Sequence, residues 1–208
     1  DMIAEGRVVV HKITIPEGLT VRGVVDMLNK EEILEGGGYT DIKEGSLLPE
    51  TYHFTYGDSR QKLLDRMADG MKSMREELWP KRAPGLPIKN IDEAVTLASI
   101  VERETSLDSE RGRVAAVYIN RLRKGMKLQS DPTVIYAIEK DKGALGRLLL
   151  LRDLKYDSPY NTYVNYGLPP GPIANPGRAS LEAVLNPPTT RDLYFVATGT
   201  GGHNFSET

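Results

Sequence analysis

Leu97-Ala98-Ser99-Ile100-Val101-Glu102-Arg103-Glu104-Thr105 is the stretch on which the reading of this chain turns. At about 100° per residue, Ala94, Leu97, Ala98, Ile100 and Val101 share one stripe of a helix. Glu104 lies one turn beyond Ile100 and Val101 and two beyond Leu97, and borders that stripe; Glu102 borders it from the other side, and Arg103 points away. A carboxyl beside apolar groups is costly to ionise, so its pKa rises. A proton held near neutral pH is what a general acid supplies. The competing reading of the same pattern is a glutamate at a helix end, half in water.

The chain has 208 residues, enough for one large domain or for a main domain with a small partner. Its formal charge of −2 gives no broad electrostatic case for nucleic acid. Cysteine is absent, which excludes disulfides and thiol catalysis and suits a cell-envelope compartment. No apolar run approaches a membrane span and no signal peptide is visible; the chain reads as an excised portion of a longer protein, which leaves an anchor upstream open. His11, His53 and His203 are isolated and lack metal-ligand spacing, so neither a metal nor a cofactor is expected.

Residues 7–15 are rich in β-branched types and predict a strand. Pro16-Glu17-Gly18 predicts a turn, and Thr20 a cap for a helix to Asn29 with Val21, Val24, Val25 and Leu28 on one face. Residues 33–48, with Gly36-Gly37-Gly38, predict a loop, followed by a strand over 51–55. This strand, turn and capped helix resemble the opening of a LysM glycan-binding module; the same pattern also fits an ordinary βα unit. Ser59 opens a long helix to Trp79 whose stripe of Leu63, Leu64, Met67, Met71, Met74 and Leu78 reads as core. After a linker over 80–87, Asn90 and Glu93 have capping-box spacing ahead of the central helix.

Asp108 or Ser109 is the expected cap of the next helix, with Val114, Val117, Tyr118 and Leu122 inward and Gly125 at its end. Asp131-Pro132 and Asn175-Pro176 each read as an N-cap followed by a helix-opening proline. Between them, residues 158–177 are stiffened by prolines and carry Tyr160, Asn161, Tyr163, Asn165 and Tyr166. A long loop of this composition reads either as a sugar-binding surface of ring faces and amides or as a structural loop with its tyrosines turned inward. Leu193–Ala197 and His203–Phe205, joined by Gly199-Thr200-Gly201-Gly202, predict a hairpin. Periodicity leaves open whether it pairs with the N-terminal strands. Arg121, Arg123, Lys124 and Lys127 read as a solvated helix end or as a contact for an acidic polymer. No phosphate loop, GxGxxG or GxSxG motif is present. The fold class expected is α+β: a small LysM-like β-α portion over 1–56, a mainly helical region over 57–208, and a C-terminal hairpin.

The strings LASIVERET, VAAVYINRLRKGMKLQSDPTVIY, YNTY, GLPPGPIANPG and LYFVATGTGGHNF resemble, in order, those of the YceG-like (MltG) family of endolytic murein transglycosylases, and EGSLLPETYHF is similar to a more divergent segment of it. The resemblance implies a bacterial inner-membrane protein with a periplasmic catalytic region, here 57–208, that cuts peptidoglycan glycan strands between N-acetylmuramic acid and N-acetylglucosamine and leaves 1,6-anhydro ends. It maps the catalytic glutamate to Glu104. It also implies a further β-α segment and a membrane helix upstream, a helical tail downstream, and association with peptidoglycan synthases. Many relatives carry threonine where this chain has Ser130, and both residues offer one hydroxyl.

One acid suffices for that chemistry. Glu104 protonates the leaving oxygen, then takes the proton of the muramic acid 6-hydroxyl as that oxygen closes on the anomeric carbon. Gln129, Ser130, Tyr160, Asn161 and Tyr163 are the expected substrate contacts, together with Asp131, which alternatively caps its helix. Two other readings stay open: a muramidase in which Asp131 activates water, and a glycan-binding module without catalysis.

Overall fold

The computed structural model describes residues 9–37, 41–199 and 201–208. Arg7 and Val8 of the expected first strand, Gly38 of the glycine-rich loop and Thr200 of the hairpin turn lie outside them. The described residues form a mixed α+β fold of six helices and two small antiparallel sheets. None of these helices is long and apolar enough to cross a membrane.

Strands β1 (Val10–Thr14) and β2 (Thr51–Thr55) pair antiparallel, with Ile13 opposite Tyr52. Between them runs helix α1 (Val21–Asn29), capped as its sequence predicts: the Thr20 hydroxyl accepts from the Gly23 amide. Val24 and Leu28 of α1, Ile13, Ile15, Tyr52 and Phe54 bury one another in a small core. Helix α2 (Arg60–Leu78) passes under both this core and a larger one. Leu63, Leu64 and Met67 belong to the first, and Met71, Met74 and Leu78 to the second.

The larger core forms around α3 (Ile91–Glu104), which packs on α4 (Asp108–Arg123) and α6 (Arg178–Leu185). The sequence predicted one apolar stripe; instead every residue from Ala94 to Val101 is buried. Thr96 and Ser99 tolerate this because each has a backbone partner. The Thr96 hydroxyl donates to the Asp92 carbonyl; that of Ser99 donates to the Thr96 carbonyl and accepts from the Ile173 amide. The helix is therefore covered on all sides. Its start has the expected Asn90 cap, accepting from the Glu93 amide, whereas the Glu93 carboxylate reaches back to the Lys89 amide rather than to Asn90. It stops at Glu104 because Thr105 is extended and its hydroxyl accepts from the Leu107 amide.

Three expected caps sit elsewhere. Leu107, not Asp108 or Ser109, precedes α4, and Asp108 instead pairs with Arg111 at 2.5 Å. Helix α5 (Asp131–Lys142) begins at Asp131 itself, with Ser130 in the cap position. Asn175 lies two residues before Gly177, the residue that precedes α6. It is fully buried and joins two segments distant in sequence: its Oδ1 accepts from the Leu47 amide and its Nδ2 donates to the Leu19 carbonyl. Gly125, with φ +64, ends α4 as expected. Strands β3 (Tyr194–Ala197) and β4 (His203–Ser206) form their own two-stranded sheet, with Phe195 opposite Phe205, separate from the N-terminal pair.

Candidate active site

The end of α3 delivers Glu104 to a groove of about 260 Å³. Its walls are Tyr118 and Arg121 of α4, Leu128 and Gln129 ahead of α5, Asp131 at its first position, Tyr163 of the long loop, and Phe195, Ala197 and His203 of the hairpin. Glu104 is half-buried and keeps its carboxyl against these walls. The Tyr118 phenol and the Ser130 hydroxyl both donate to Oε1, each at 2.5 Å. Desolvation raises the pKa of this carboxyl most; the two hydroxyl donors oppose the rise, and the Asp131 charge adds to it. The carboxyl thus keeps its proton to higher pH than a free glutamate, in a site with two groups fixing its orientation.

Glu102, the other acid on the stripe, has a different place. Its side chain is almost wholly enclosed; Oε2 accepts from the Gly177 amide at 2.9 Å and Oε1 lies 3.9 Å from Arg111. It ties α3 to the start of α6 and does not line the groove.

Ser130 reaches Glu104 because the backbone turns sharply before it. Gln129 is a non-glycine residue in the left-handed region, φ +53, a conformation that persists only where the surroundings impose it. They do so here through Thr162: its carbonyl accepts from the Gln129 amide, and its hydroxyl accepts from the Ser130 amide and bonds the Thr133 hydroxyl. Arg121 fixes the other side of the turn. It is buried, and its guanidinium donates to the carbonyls of Leu128 and Leu193, each at 2.7 Å. The basic cluster of the sequence therefore divides: Arg121 is an internal clamp between α5's approach and the hairpin.

The expected contacts divide as well. Gln129, Ser130, Asp131 and Tyr163 meet in the groove, where the Tyr163 phenol donates to Asp131 Oδ1 at 2.6 Å. Tyr160 faces another cavity; its ring packs on Tyr136, with the Lys140 ammonium 4.6 Å from its centre. Asn161 is fully buried, and its amide is taken up inside the loop by the carbonyls of Leu154 and Tyr156 and by the Tyr163 amide.

Sequence reasoning passed over His203, Phe195 and the polar role of Tyr118. The His203 ring stands edge-on to Phe195. The Glu110 carboxylate accepts from the His203 amide at 2.9 Å and meets Nδ1 at 2.7 Å, pinning the hairpin to α4. Tyr118 and Arg121 had a readable signal, since both continue the Val114-Val117 spacing of α4's inner face. His203 had none, because its partner is 93 residues away.

An acid at the end of a core helix, held by two hydroxyls over a polar groove that also carries Asp131, in an α+β scaffold, is an arrangement that can supply a proton as a general acid. The sequence model of the YceG-like family matches residues 1–208, and the chain belongs to that family. It is 38% identical over 170 residues to an endolytic murein transglycosylase of Bacillus subtilis (strain 168), covering 79% of this chain and 44% of that protein. It is 36% identical over 166 residues to an endolytic murein transglycosylase of Streptococcus pneumoniae serotype 2 (strain D39), covering 76% and 29%. The chain thus spans less than half the length of these relatives. The crystal structure of a YceG-like protein from Listeria monocytogenes matches the whole chain with a TM-score of 0.74 and 33% identity, covering 76% of that protein.

Proposed function

We propose that this chain is the catalytic portion of an endolytic murein transglycosylase, with Glu104 as its general acid. The carrying observation is the Glu104 carboxyl, desolvated and oriented by Tyr118 and Ser130 within a groove. Glu104 gives its proton to the glycosidic oxygen between N-acetylmuramic acid and N-acetylglucosamine as the bond to the anomeric carbon breaks. The 6-hydroxyl of the same muramic acid closes on that carbon, and its proton passes to the Glu104 carboxylate. The acid form of Glu104 is thereby restored, and no water is consumed. The intramolecular attack has a high effective molarity, so no second carboxylate is required.

In this reading Gln129, Asp131 and Tyr163 orient the sugar, and the buried Ser130 acts through its bond to Glu104. Tyr160 and Asn161 act at one remove, by shaping the loop that carries Tyr163. The names of the relatives and the groove together support peptidoglycan strands as the substrate. We further infer an inner-membrane anchor upstream, a periplasmic location, partnership with peptidoglycan synthases, and a LysM-like glycan-contacting role for the β1-α1-β2 unit. That unit's antiparallel strands bracketing a capped helix support the last reading.

The test is product analysis of digested murein in oxygen-18 water, with wild type and Glu104→Gln side by side. Anhydro ends from wild type, and none from the variant, support the reading. Reducing ends carrying oxygen-18 point instead to hydrolysis with Asp131 as the second carboxylate. Glycan binding without cleavage by either protein leaves the binding-module reading.

A further inference from the structure

After α5 the chain makes a turn whose side chains face water. Leu148 and Leu151 are 87% and 86% exposed, the two most exposed large apolar residues among those described, and Leu150 is 42% exposed. Scattered single leucines at a surface are ordinary; three within four residues are not. None of them lines the Glu104 groove or the cavity that Tyr160 faces.

The turn is built rather than loose. The Asp153 carboxylate accepts from the Leu150 amide at 2.8 Å and from both terminal nitrogens of Arg147. Arg147 also donates to the Leu148 carbonyl, and the Asp153 amide donates to the Leu150 carbonyl. These bonds close the backbone on itself, turn Leu148 and Leu150 outward and leave Leu149 half-buried between them. Charge accompanies the leucines. Residues 140–155 carry five lysines and arginines against two aspartates, a local +3 in a chain whose formal charge is −2. Arg152 and Lys155 are exposed, and neither side chain makes a hydrogen bond among the described residues.

We propose that this turn inserts into a membrane surface that carries anionic headgroups. Apolar side chains at a projecting tip, flanked by free cations, suit a lipid interface: the leucines enter the acyl boundary while the guanidinium and ammonium groups stay among the headgroups. A protein partner would offer the leucines pockets and would leave the cation excess without a purpose. The twelve residues of α5, about 18 Å of helix, run from Asp131 at the groove to Lys142, ahead of the turn. The contact is thus tied to the groove through α5. It is independent of the chemistry assigned to Glu104.

The test is co-sedimentation of the 208-residue chain with vesicles, either an equimolar mixture of phosphatidylglycerol and phosphatidylcholine or phosphatidylcholine alone. The chain is expected in the pellet with the mixture, and to a smaller extent with phosphatidylcholine. Leu148→Ser with Leu151→Ser lowers the partition coefficient by about tenfold or more. Arg152→Gln with Lys155→Gln abolishes the preference for the anionic mixture. Unchanged melting curves and unchanged cleavage of soluble glycan show that the variants fold. A chain that stays in the supernatant with both vesicles overturns the proposal, as does a serine variant that pellets like wild type. A wild-type dimer in sedimentation velocity that the serine variant converts to monomer also overturns it, because the leucines then cover a second copy of the chain.

Discussion

The Tyr118 phenol and the Glu104 carboxyl are joined by a 2.5 Å hydrogen bond, with the tyrosine 1% exposed and the glutamate at the last position of its helix. Burial of Tyr118 and the neighbouring Glu104 charge push the phenol's own pKa far up, so across the working range it is a donor and never a competing anion. Its bond favours the ionised form of Glu104, against the desolvation that favours the protonated one. Tyr118→Phe removes the opposing contribution. The alkaline limb of the kcat/KM profile is expected to move to higher pH, and kcat at neutral pH to fall about tenfold, from the loss of a hydrogen bond to a charged group. A limb that moves to lower pH would count against this account.

Glu104 should cost stability. Its folded pKa lies above the ordinary 4.5, so the folded state binds a proton that the unfolded state has released. The native state is then fully favoured below 4.5 and loses that advantage as pH rises through the folded pKa. Glu104→Gln is expected to melt several degrees above the parent at about pH 8 and level with it at about pH 4, by calorimetry. Glu44 works in the same direction. Desolvation raises it to about 7 while it accepts from the Val21 amide at the start of α1. Glu44→Gln should therefore stabilise above pH 7 and not below 4.5.

Glu110 and His203 hold the hairpin that forms one wall of the groove, with Gly202 bringing the hairpin backbone close to that carboxylate. Glu110→Ala frees that wall while leaving Glu104 with both its donors. KM is expected to rise several-fold, with a smaller change in kcat, in steady-state assays on soluble glycan. A fall in kcat at constant KM would assign the pair a part in the reaction itself.

Two buried positions join the connecting segments of the β1-α1-β2 unit to the long loop. Gly45 has φ +74, and a Cβ there would sit 2.6 Å from the Pro172 ring. Gly45→Ala should cost about 2 kcal/mol or more, from backbone strain plus overpacking, read from the urea midpoint at constant m-value. Asn175→Ala strands the Leu47 amide and the side-chain bond to Leu19, and should cost about 2–4 kcal/mol.

The elements of the fold were largely legible because they obey local rules. Thr20 and Asn90 cap what their spacing predicts, Gly125 ends α4, and the α2 stripe is core along its whole length. Two of the three misplaced caps share one cause. Asp131 and Asn175 look like caps in isolation, but each has a partner that no local window contains: the Tyr163 phenol, 32 residues on, and the Leu47 amide, 128 residues back. The same limit hid the groove's second half. The stripe brought Glu104 forward together with Glu102, and the family resemblance singled out Glu104. His203 needed Glu110, and Arg121 needed the Leu193 carbonyl, before either had a meaning.

Helix α2 is shared property. Its first half is the floor of the N-terminal core and its second half a wall of the larger one, so a chain ending at residue 56 would lose the floor beneath Ile13, Val24 and Phe54. Heat should therefore melt the two cores in one step, with calorimetric and van't Hoff enthalpies in agreement. Amide exchange at Met67 and Met71 should report a single opening free energy on either side of the junction.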